Sequence, residues 1–269
     1  MRDSAQKVGQ VWTSADAYET YVGRWSRLVA REFLDWLAIG AGAAWLDVGC
    51  GTGALSQTIL EMASPRAVTG IDRSSDFVAF VQKRIGGEQA RFEIGDATAL
   101  RFADRSFDVA VSGLVLNFVP DPAAMVTEMR RVVTSDGVVG LYVWDYAGRM
   151  QLMRYFWDAA TTLDPAASVL TEGARFSLCQ PGPLSDLFQQ ANLLHVQSRA
   201  IDVPTDFNDF DEFWSPFLGG QGPAGSYTMS LSDEKRAALR GYLAAHLPIA
   251  PDGSLHLTAR AWAVQGRVP

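Results

Sequence analysis

The sequence predicts an α/β fold, in which a mainly parallel sheet carries helices on both faces. Between residues 45 and 144, short apolar segments typical of buried strands alternate with amphipathic segments typical of helices. The first apolar segment also runs directly into a glycine-rich turn that is followed by a further helical segment. This pattern indicates repeated β-α units, whose crossover connections make neighbouring strands parallel.

The composition is that of a globular chain with a sizeable core. The 269 residues suffice for one large α/β domain, and 48% of them are hydrophobic. The formal net charge of −7 argues against a general nucleic-acid binder, because such proteins usually present a basic face. We expect no nucleic-acid partner, and a monomer or homodimer.

The expected location is cytoplasmic, without a membrane partner. The N-terminal residues lack the apolar core of a signal peptide, and no apolar run is long enough to span a membrane. Of the two cysteines, Cys50 lies inside the glycine-rich turn, where a structural disulfide is not expected.

The first part of the chain predicts helices over residues 13–38. Thr13 to Asp16 form a typical helix start, with a hydroxyl cap and an acid in the first turn. Apolar side chains then recur at helical spacing, and Gly23 is predicted to break the pattern. We expect these helices to lie against the domain or over a pocket.

The middle of the chain predicts five strands. They cover residues 45–48, 67–71, 91–94, 107–111 and 138–144. Ser74 or Ser75 is expected to cap the helix after the second strand, and Asp121 with Pro122 to open the helix after the fourth.

The last part of the chain departs from this alternation. Residues 146–183 are aromatic and predicted to be irregular; a helix is expected at 184–191, a strand at 196–203, a polar helix at 232–245 and a final strand at 254–265. The prediction is a single domain over 1–269. Its parts are a core of about 40–146 with 184–204 and 253–269, the N-terminal helices, and cap insertions at about 147–183 and 205–252.

The glycine-rich turn leaves two ligand classes open. Gly49, Gly51 and Ala54 satisfy the dinucleotide pattern, with Asp72 near the position of a ribose-binding acid, so a nicotinamide cofactor is compatible. Acids at three strand ends favour another ligand, and no Arg or Lys lies in the turn to neutralise the charge of a pyrophosphate. These acids are Asp47, Asp72 and Asp96. Converging carboxylates would repel a pyrophosphate and would suit a cation such as S-adenosylmethionine.

Ordered motifs carry a family resemblance. They are LDVGCGTG at 46–53, GID at 70–72, GDA at 95–97, FDVAVS at 107–112 and VLNFVPD at 115–121. From about residue 45 to 146 the chain resembles the class I S-adenosylmethionine-dependent methyltransferases, in the small-molecule branch similar to ubiquinone- and menaquinone-biosynthesis methyltransferases. The resemblance implies a Rossmann-like, doubly wound seven-stranded sheet with a reversed last strand.

The resemblance also implies which residues bind the cofactor. Asp47 would face the methionine amine, Asp72 both ribose hydroxyls, and Asp96 with the Ala97 amide the adenine edge, with Arg73 flanking the nucleoside. The backbone would contribute at Gly49, Gly51, Gly53, Ser112, Gly113 and Leu114, and Tyr21 and Arg24 would close over the methionine carboxylate. Where the family often has histidines this chain has Asn117-Phe118, so no histidine can transfer a proton there.

The acceptor is predicted to be a small molecule that is partly apolar or aromatic. Candidate acceptor contacts are Asn117, Trp144, Tyr146, Trp157 and Trp214. If a base is required, Asn117, Asp145 and Tyr146 are the candidates, and no catalytic residue is assigned. No cluster has the spacing of a metal site.

Three alternatives to a small-molecule methyltransferase stay open. They are a nicotinamide-dependent oxidoreductase on a similar fold, an RNA or protein methyltransferase, and a non-catalytic protein that keeps the cofactor fold. The net negative charge argues against an RNA methyltransferase. The glycines and acids of the cofactor motifs are intact, which argues against a protein that has lost its cofactor site.

Overall fold

The computed structural model describes residues 24–220 and 222–269. The predicted helix over residues 13–22, with Tyr21, lies outside these residues, and so does the side chain of Arg24. Among the described residues, no helix combines the length and the hydropathy required to cross a bilayer.

A seven-stranded sheet has the order β3-β2-β1-β4-β5-β7-β6. The strands are β1 (Ala44–Val48), β2 (Ala67–Asp72), β3 (Ala90–Ile94), β4 (Phe107–Gly113), β5 (Val133–Trp144), β6 (Leu194–Phe207) and β7 (Leu255–Arg267). The first five strands pair in parallel, and β7 pairs antiparallel with β5. The predicted doubly wound sheet with a reversed last strand is therefore confirmed.

Ten α-helices lie in the described part of the chain. They are α1 (Arg24–Leu37), α2 (Ala54–Met62), α3 (Ser75–Ile85), α4 (Pro122–Val132), α5 (Gln151–Leu163), α6 (Glu172–Arg175), α7 (Pro181–Gln190), α8 (Phe210–Trp214), α9 (Gly222–Ser230) and α10 (Asp233–His246). The predicted caps are present, because Ser74 accepts from the Phe77 amide and Asp121 from the Ala124 amide.

The central strands form the core of the sheet. All five residues of β1 are buried, and α4 packs a fully buried apolar face formed by Met125, Val126, Met129 and Val132. Burying one such side chain contributes roughly 1.5–3 kcal/mol relative to leaving it exposed. This burial anchors β1, the strand that leads into the glycine turn.

The strand order reverses direction at β1. The chain passes from β1 outwards to β2 and β3, and then returns to place β4 on the other side of β1. In register, Asp47 of β1 lies opposite Gly70 of β2 and Val111 of β4. Ligands of open α/β sheets bind at the carboxyl ends of the strands beside such a switch point.

The described residues divide into two compact units. The sheet unit comprises Ser26–Trp144, Leu178–Ile201 and Ala261–Pro269, and the inserted unit comprises Asp145–Ser177, Asp202–Arg260 and residues 24–25. The aromatic core of the inserted unit includes Phe156 stacked on Phe217, with ring centroids 4.4 Å apart. That the insertions act as a cap on a single domain stays a prediction.

The prediction of an irregular segment over residues 146–183 is wrong. Residues 151–163 form α5, which buries Leu152, Met153, Phe156, Trp157, Ala159 and Ala160. These positions fall on one helical face, but aromatic and β-branched residues such as Thr161 and Thr162 are weak helix formers. Burial of the apolar face outweighs that intrinsic preference.

Candidate functional site

The glycine turn after β1 requires glycine for two different reasons. Gly49, Gly51 and Gly53 have φ values of 78°, 51° and 88°, in the left-handed region that other residues rarely adopt. A Cβ on Gly49 would lie 2.6 Å from the Val115 side chain, and one on Gly53 would lie 2.4 Å from Cγ2 of Val81. Gly51 instead faces open space, which leaves room for a ligand against the main chain.

The end of β2 holds this turn in place. The amides of Gly49 and Cys50 both donate to the Ile71 carbonyl at 2.8 Å, and the Gly51 amide donates to Oδ2 of Asp72 at 3.1 Å. The other oxygen of Asp72 accepts from the Ser74 amide at 2.8 Å. One carboxylate therefore connects the glycine turn to the start of α3.

Two acids lie beside the glycine turn, Asp47 buried and Asp72 half-buried. Asp47 is 1% exposed, and its Oδ2 accepts a 2.6 Å hydrogen bond from the hydroxyl of Ser56 on α2. Its Oδ1 is buried and has no hydrogen-bond partner among the described residues. Burial raises the pKa of Asp47 to about 7, the Ser56 hydrogen bond opposes this rise, and the Asp72 charge adds to it. Burial also raises the pKa of Asp72, and the hydrogen bonds from the Ser74 and Gly51 amides oppose this rise.

Both cysteines are buried, and neither forms a disulfide, as expected. Burial raises the pKa of the Cys50 thiol well above its usual range, and the charges of Asp47 and Asp72 raise it further. The thiol is therefore protonated at neutral pH and adds no charge to the site.

The acid after β3 is more exposed than Asp47 and Asp72. Asp96 is exposed at its side chain and accepts from both the amide and the hydroxyl of Thr98 at 2.8 Å. These hydrogen bonds lower its pKa, and the Arg73 charge lowers it as well. Arg73 acts in the same direction on Asp72, so its charge favours the ionised form of both acids. Ala97 follows Asp96 in the same turn.

The end of β4 is fixed to its neighbours. Ser112 is 1% exposed, and its hydroxyl donates to the Val48 carbonyl at 2.7 Å. The Leu114 amide donates to the Tyr142 carbonyl at 2.8 Å, and the backbone of Leu114 has a φ of 64°. A Cβ on Gly113 would lie 2.5 Å from the Tyr142 hydroxyl. Beyond them, Nδ2 of Asn117 is buried and has no hydrogen-bond partner among the residues that the structure describes.

The predicted acceptor residues lie in two separate units. In the sheet unit, Trp144 is 2% exposed. In the inserted unit, Trp157 donates its indole N–H to Glu172, Trp214 is buried near Phe217, and the ring of Tyr146 lies 5.6 Å from that of Phe176. The three tryptophans are therefore core residues of their units.

The candidate base Asp145 is occupied by local hydrogen bonds. Its two carboxylate oxygens accept from the Gly148 amide at 3.0 Å and the Arg149 amide at 2.9 Å. The carboxylate closes a tight turn at the start of the inserted unit, which is a structural role.

Two residues of chemical interest escaped the sequence prediction. Ser56 has no motif that marks it, although its place two residues into α2 puts it beside the carboxyl end of β1. Glu172 is 3% exposed, and burial raises its pKa to about 7. In the sequence, Glu172 is marked only as a single acid within an aromatic segment. Exposed acids commonly occur in such segments, so the sequence does not indicate that Glu172 is buried.

Comparison with known proteins agrees with this geometry. A family model described as a methyltransferase domain matches residues 46–141. The chain is 34% identical over 116 residues to the demethylmenaquinone methyltransferase of Lactobacillus johnsonii, covering 41% of this chain and 48% of that protein. It is also 34% identical over 193 residues to the ubiquinone/menaquinone biosynthesis C-methyltransferase of Desulfotalea psychrophila, covering 68% of this chain and 76% of that protein.

A solved structure shares the fold. Phosphoethanolamine N-methyltransferase 2 of Haemonchus contortus, in complex with S-adenosyl-L-methionine, superposes with a TM-score of 0.58 at 14% identity, covering 100% of this chain and 60% of that chain. The sheet with its reversed strand and the acid-flanked glycine turn define an α/β methyltransferase fold. The chain belongs to the class I S-adenosylmethionine-dependent methyltransferases, in the branch similar to the ubiquinone and menaquinone biosynthesis enzymes, and the cofactor of this family is S-adenosylmethionine. The family and cofactor predicted from the motifs are confirmed, although the chain spans only about half of the Lactobacillus relative.

Proposed function

We propose that this protein transfers a methyl group from S-adenosylmethionine to a small acceptor that is partly apolar or aromatic. The observation that carries the proposal is the buried Oδ1 of Asp47 at the switch point of the sheet, which has no hydrogen-bond partner within residues 24–220 and 222–269. A buried carboxylate oxygen without a donor is costly unless a ligand supplies one. The methionine ammonium of the cofactor is such a donor.

The charges favour a cationic ligand over a nicotinamide dinucleotide. Asp47 is buried and Asp72 is half-buried at the glycine turn, and among the described groups that act on Asp47 none is a cation. A pyrophosphate placed there would face two carboxylates, whereas an ammonium and a sulfonium would complement them.

Each cofactor role assigned above is part of the proposal. Asp47 would bind the amine, Asp72 the ribose, Arg73 the nucleoside flank, and Asp96 with Ala97 the adenine; the main chain would contribute at Gly49, Gly51, Gly53, Ser112, Gly113 and Leu114, and Tyr21 with Arg24 would close the methionine end. For Asp96, cofactor binding would have to share its oxygens with the hydrogen bonds from Thr98.

The contribution of the protein to catalysis would be binding and alignment. The bound cofactor supplies an activated methyl group on its sulfonium. The residues of the glycine turn and of the β4 end would orient the reactants for in-line displacement, and such alignment can contribute on the order of 7–11 kcal/mol. A strong general base is therefore not essential.

The proposed acceptor class rests on the predicted contacts that are not part of a core, and on the relatives. Trp144, Trp157 and Trp214 are packed in the cores of their units, so of the predicted residues Asn117 is kept as the proposed contact of the sheet unit and Tyr146 as a separate aromatic candidate of the inserted unit. The buried N–H of Asn117 suits an acceptor oxygen. The relative from Desulfotalea psychrophila is named for quinone biosynthesis, and an oxygen-bearing ring compound is consistent with this proposed lining.

Calorimetry tests the cofactor assignment. S-adenosylhomocysteine should bind with measurable heat, and NAD and NADH at the same concentration should not. Turnover of a methyl-labelled cofactor with a panel of small hydroxylated aromatic compounds would separate an enzyme from a non-catalytic binding protein. Absence of S-adenosylhomocysteine binding at millimolar concentration would refute the proposal.

A further inference from the structure

Ser56 fixes which oxygen of Asp47 can meet a ligand. Ser56 is 0% exposed, and its hydroxyl donates to Oδ2 of Asp47 at 2.6 Å. A hydroxyl has one hydrogen to donate, so this hydrogen bond uses the full donor capacity of Ser56. The other oxygen, Oδ1, is left buried and without a partner in the part of the chain that the structure describes. The carboxyl group is therefore held in one orientation, with one oxygen available.

The surroundings of Asp47 oppose its negative charge. Asp47 is 1% exposed, Asp72 is a further acid that acts on it, and burial, with these two acids, keeps the nearby Cys50 thiol protonated. Ser56 stabilises the charged form through its hydroxyl and, to a smaller extent, through its backbone, and no cation does so among the described residues. Burial raises the pKa of Asp47 to about 7, so much of the ligand-free protein holds a neutral Asp47 at slightly acid pH.

We propose that Asp47 releases a proton when the methionine ammonium of the cofactor binds, and that Ser56 is the positioning residue through which this proton release occurs near neutral pH. The inference rests on the cofactor placement proposed above. The O–H bond of the Asp47 carboxylic acid breaks, its proton passes to the buffer, and the resulting carboxylate accepts an N–H of the ammonium. No electrons are exchanged, and no further reactant is needed.

The first test uses the ligand-free protein, so it does not depend on the proposed function. The ¹³C resonance of the Asp47 carboxyl, assigned by comparison with Asp47→Asn, should titrate with a midpoint near 7. Ser56→Ala should move this midpoint upwards by about one pH unit, because the hydrogen bond to the charged form is lost. Thr58→Ala is the matched control, since this buried hydroxyl on the same helix donates to the Ala54 carbonyl and should leave the midpoint unchanged. An unmoved midpoint in Ser56→Ala would overturn the role of Ser56.

The second test measures protons released on binding, by calorimetry with S-adenosylhomocysteine in buffers of different ionisation enthalpy. From a pKa of about 7, release should approach roughly 0.9 proton per site at pH 6 and fall below about 0.1 at pH 8.5. Methylthioadenosine, which shares the nucleoside and the thioether but has no ammonium, should release none at either pH. Binding of S-adenosylhomocysteine without proton release at pH 6 would overturn the inference and leave the proposed function standing. Absence of binding at both pH values would overturn the proposed cofactor placement, and the inference with it.

Affinity as a function of pH separates positioning from a merely structural role. Ser56→Ala should bind S-adenosylhomocysteine about 10-fold more weakly than the parent at pH 6 and within about twofold of it at pH 8.5. Thr58→Ala should match the parent at both pH values. An equal loss at both pH values in Ser56→Ala would show a general defect of the helix and would contradict the proposal.

Discussion

Gly51 and Gly53 have left-handed backbone angles in common but differ in what surrounds them. Gly53 is closely packed against the side chain of Val81, whereas no atom of the described residues lies within 4 Å of a Cβ on Gly51. A methyl group at Gly53 would therefore disturb the packing of α3, and one at Gly51 would occupy space that we assign to the cofactor. The two positions separate the stability of the turn from its ligand function.

Alanine substitutions in the turn should show this separation. Gly51→Ala should cost about 1–2 kcal/mol of unfolding free energy through backbone strain alone, and should abolish most of the S-adenosylhomocysteine affinity. Gly53→Ala should cost more, about 2–4 kcal/mol, because steric overlap is added to strain. Denaturant unfolding and calorimetry measure the two effects.

Gly182→Ala is the control, at a glycine of α7 whose Cβ position has open space around it. Its unfolding free energy should stay within about 0.5 kcal/mol of that of the parent. Equal stability losses at the two turn positions would contradict this account.

Asp72 is expected to contribute directly to cofactor affinity. Asp72→Ala should weaken S-adenosylhomocysteine binding by roughly 1.5–3 kcal/mol, because a charge-assisted hydrogen bond to the ribose is lost. Calorimetry on folded protein, confirmed by circular dichroism, provides the measurement. Asp186→Ala removes the same charge from an exposed position on α7 and should change the affinity little. Unchanged affinity in Asp72→Ala would show that the ribose assignment is wrong.

At the residue scale, the sequence identifies the acids of the site better than the groups that hold them. Asp47 and Asp72 can be predicted because each ends a buried strand and β-α units bring such ends to one edge. Ser56 cannot be predicted in the same way, since its hydrogen bond depends on how α2 docks beside β1. The local role of Asp145 depends likewise on a tight turn that the residue types alone do not specify.

At the scale of elements, strands buried on both faces are the easiest to predict. β1 and β4 are short apolar runs bounded by turn residues, and their predicted bounds agree with the structure to within two residues. α5 was not predicted, because its aromatic side chains suit helix, strand and loop alike until their burial is known. α9 was also missed; it begins at Gly222 within a glycine-rich run, and such a run normally predicts a loop.

The packing of α5 should account for its formation. Phe156 is fully buried, stacks on Phe217 and contacts the edge of Trp157. Phe156→Ala should lower the unfolding free energy by about 3–5 kcal/mol, through lost burial and the resulting cavity. Denaturant unfolding followed by tryptophan fluorescence measures the loss.

Asp158→Ala on the exposed face of the same helix is the control for Phe156→Ala. It breaks a surface ion pair with Arg154 and should cost no more than about 1 kcal/mol. If both variants lost the same stability, the apolar face would not be what holds α5.

At the scale of the whole molecule, each unit contains a buried acid that is disfavoured when ionised. Burial raises the pKa of Asp47 in the sheet unit and of Glu172 in the inserted unit, each to about 7. In both cases the folded state holds its proton to higher pH than the unfolded state does. Each group therefore stabilises the fold fully below its unfolded pKa of about 4, and this contribution disappears as the pH rises through about 7. For a chain of net charge −7, rising pH adds buried charge to an already acidic protein.

Glu172→Gln should remove one of these two pH-dependent losses. The glutamine carbonyl can still accept the indole N–H of Trp157. The variant should therefore be within about 1 kcal/mol of the parent at pH 5, where Glu172 is protonated in the folded state and partly ionised in the unfolded state. At pH 8 the parent carries the ionised, buried form, and the variant should be more stable by on the order of 3 kcal/mol, the free energy that corresponds to a pKa raised from 4.5 to about 7. Thermal unfolding at both pH values measures the difference in Tm between variant and parent. Glu234→Gln, at an exposed acid in the first turn of α10, should give no such gain, because hydrogen bonds lower the pKa of Glu234. If the Tm difference between Glu172→Gln and the parent were the same at pH 5 and pH 8, Glu172 would not titrate between these values. Ionisation of Glu172 would then not destabilise the folded state.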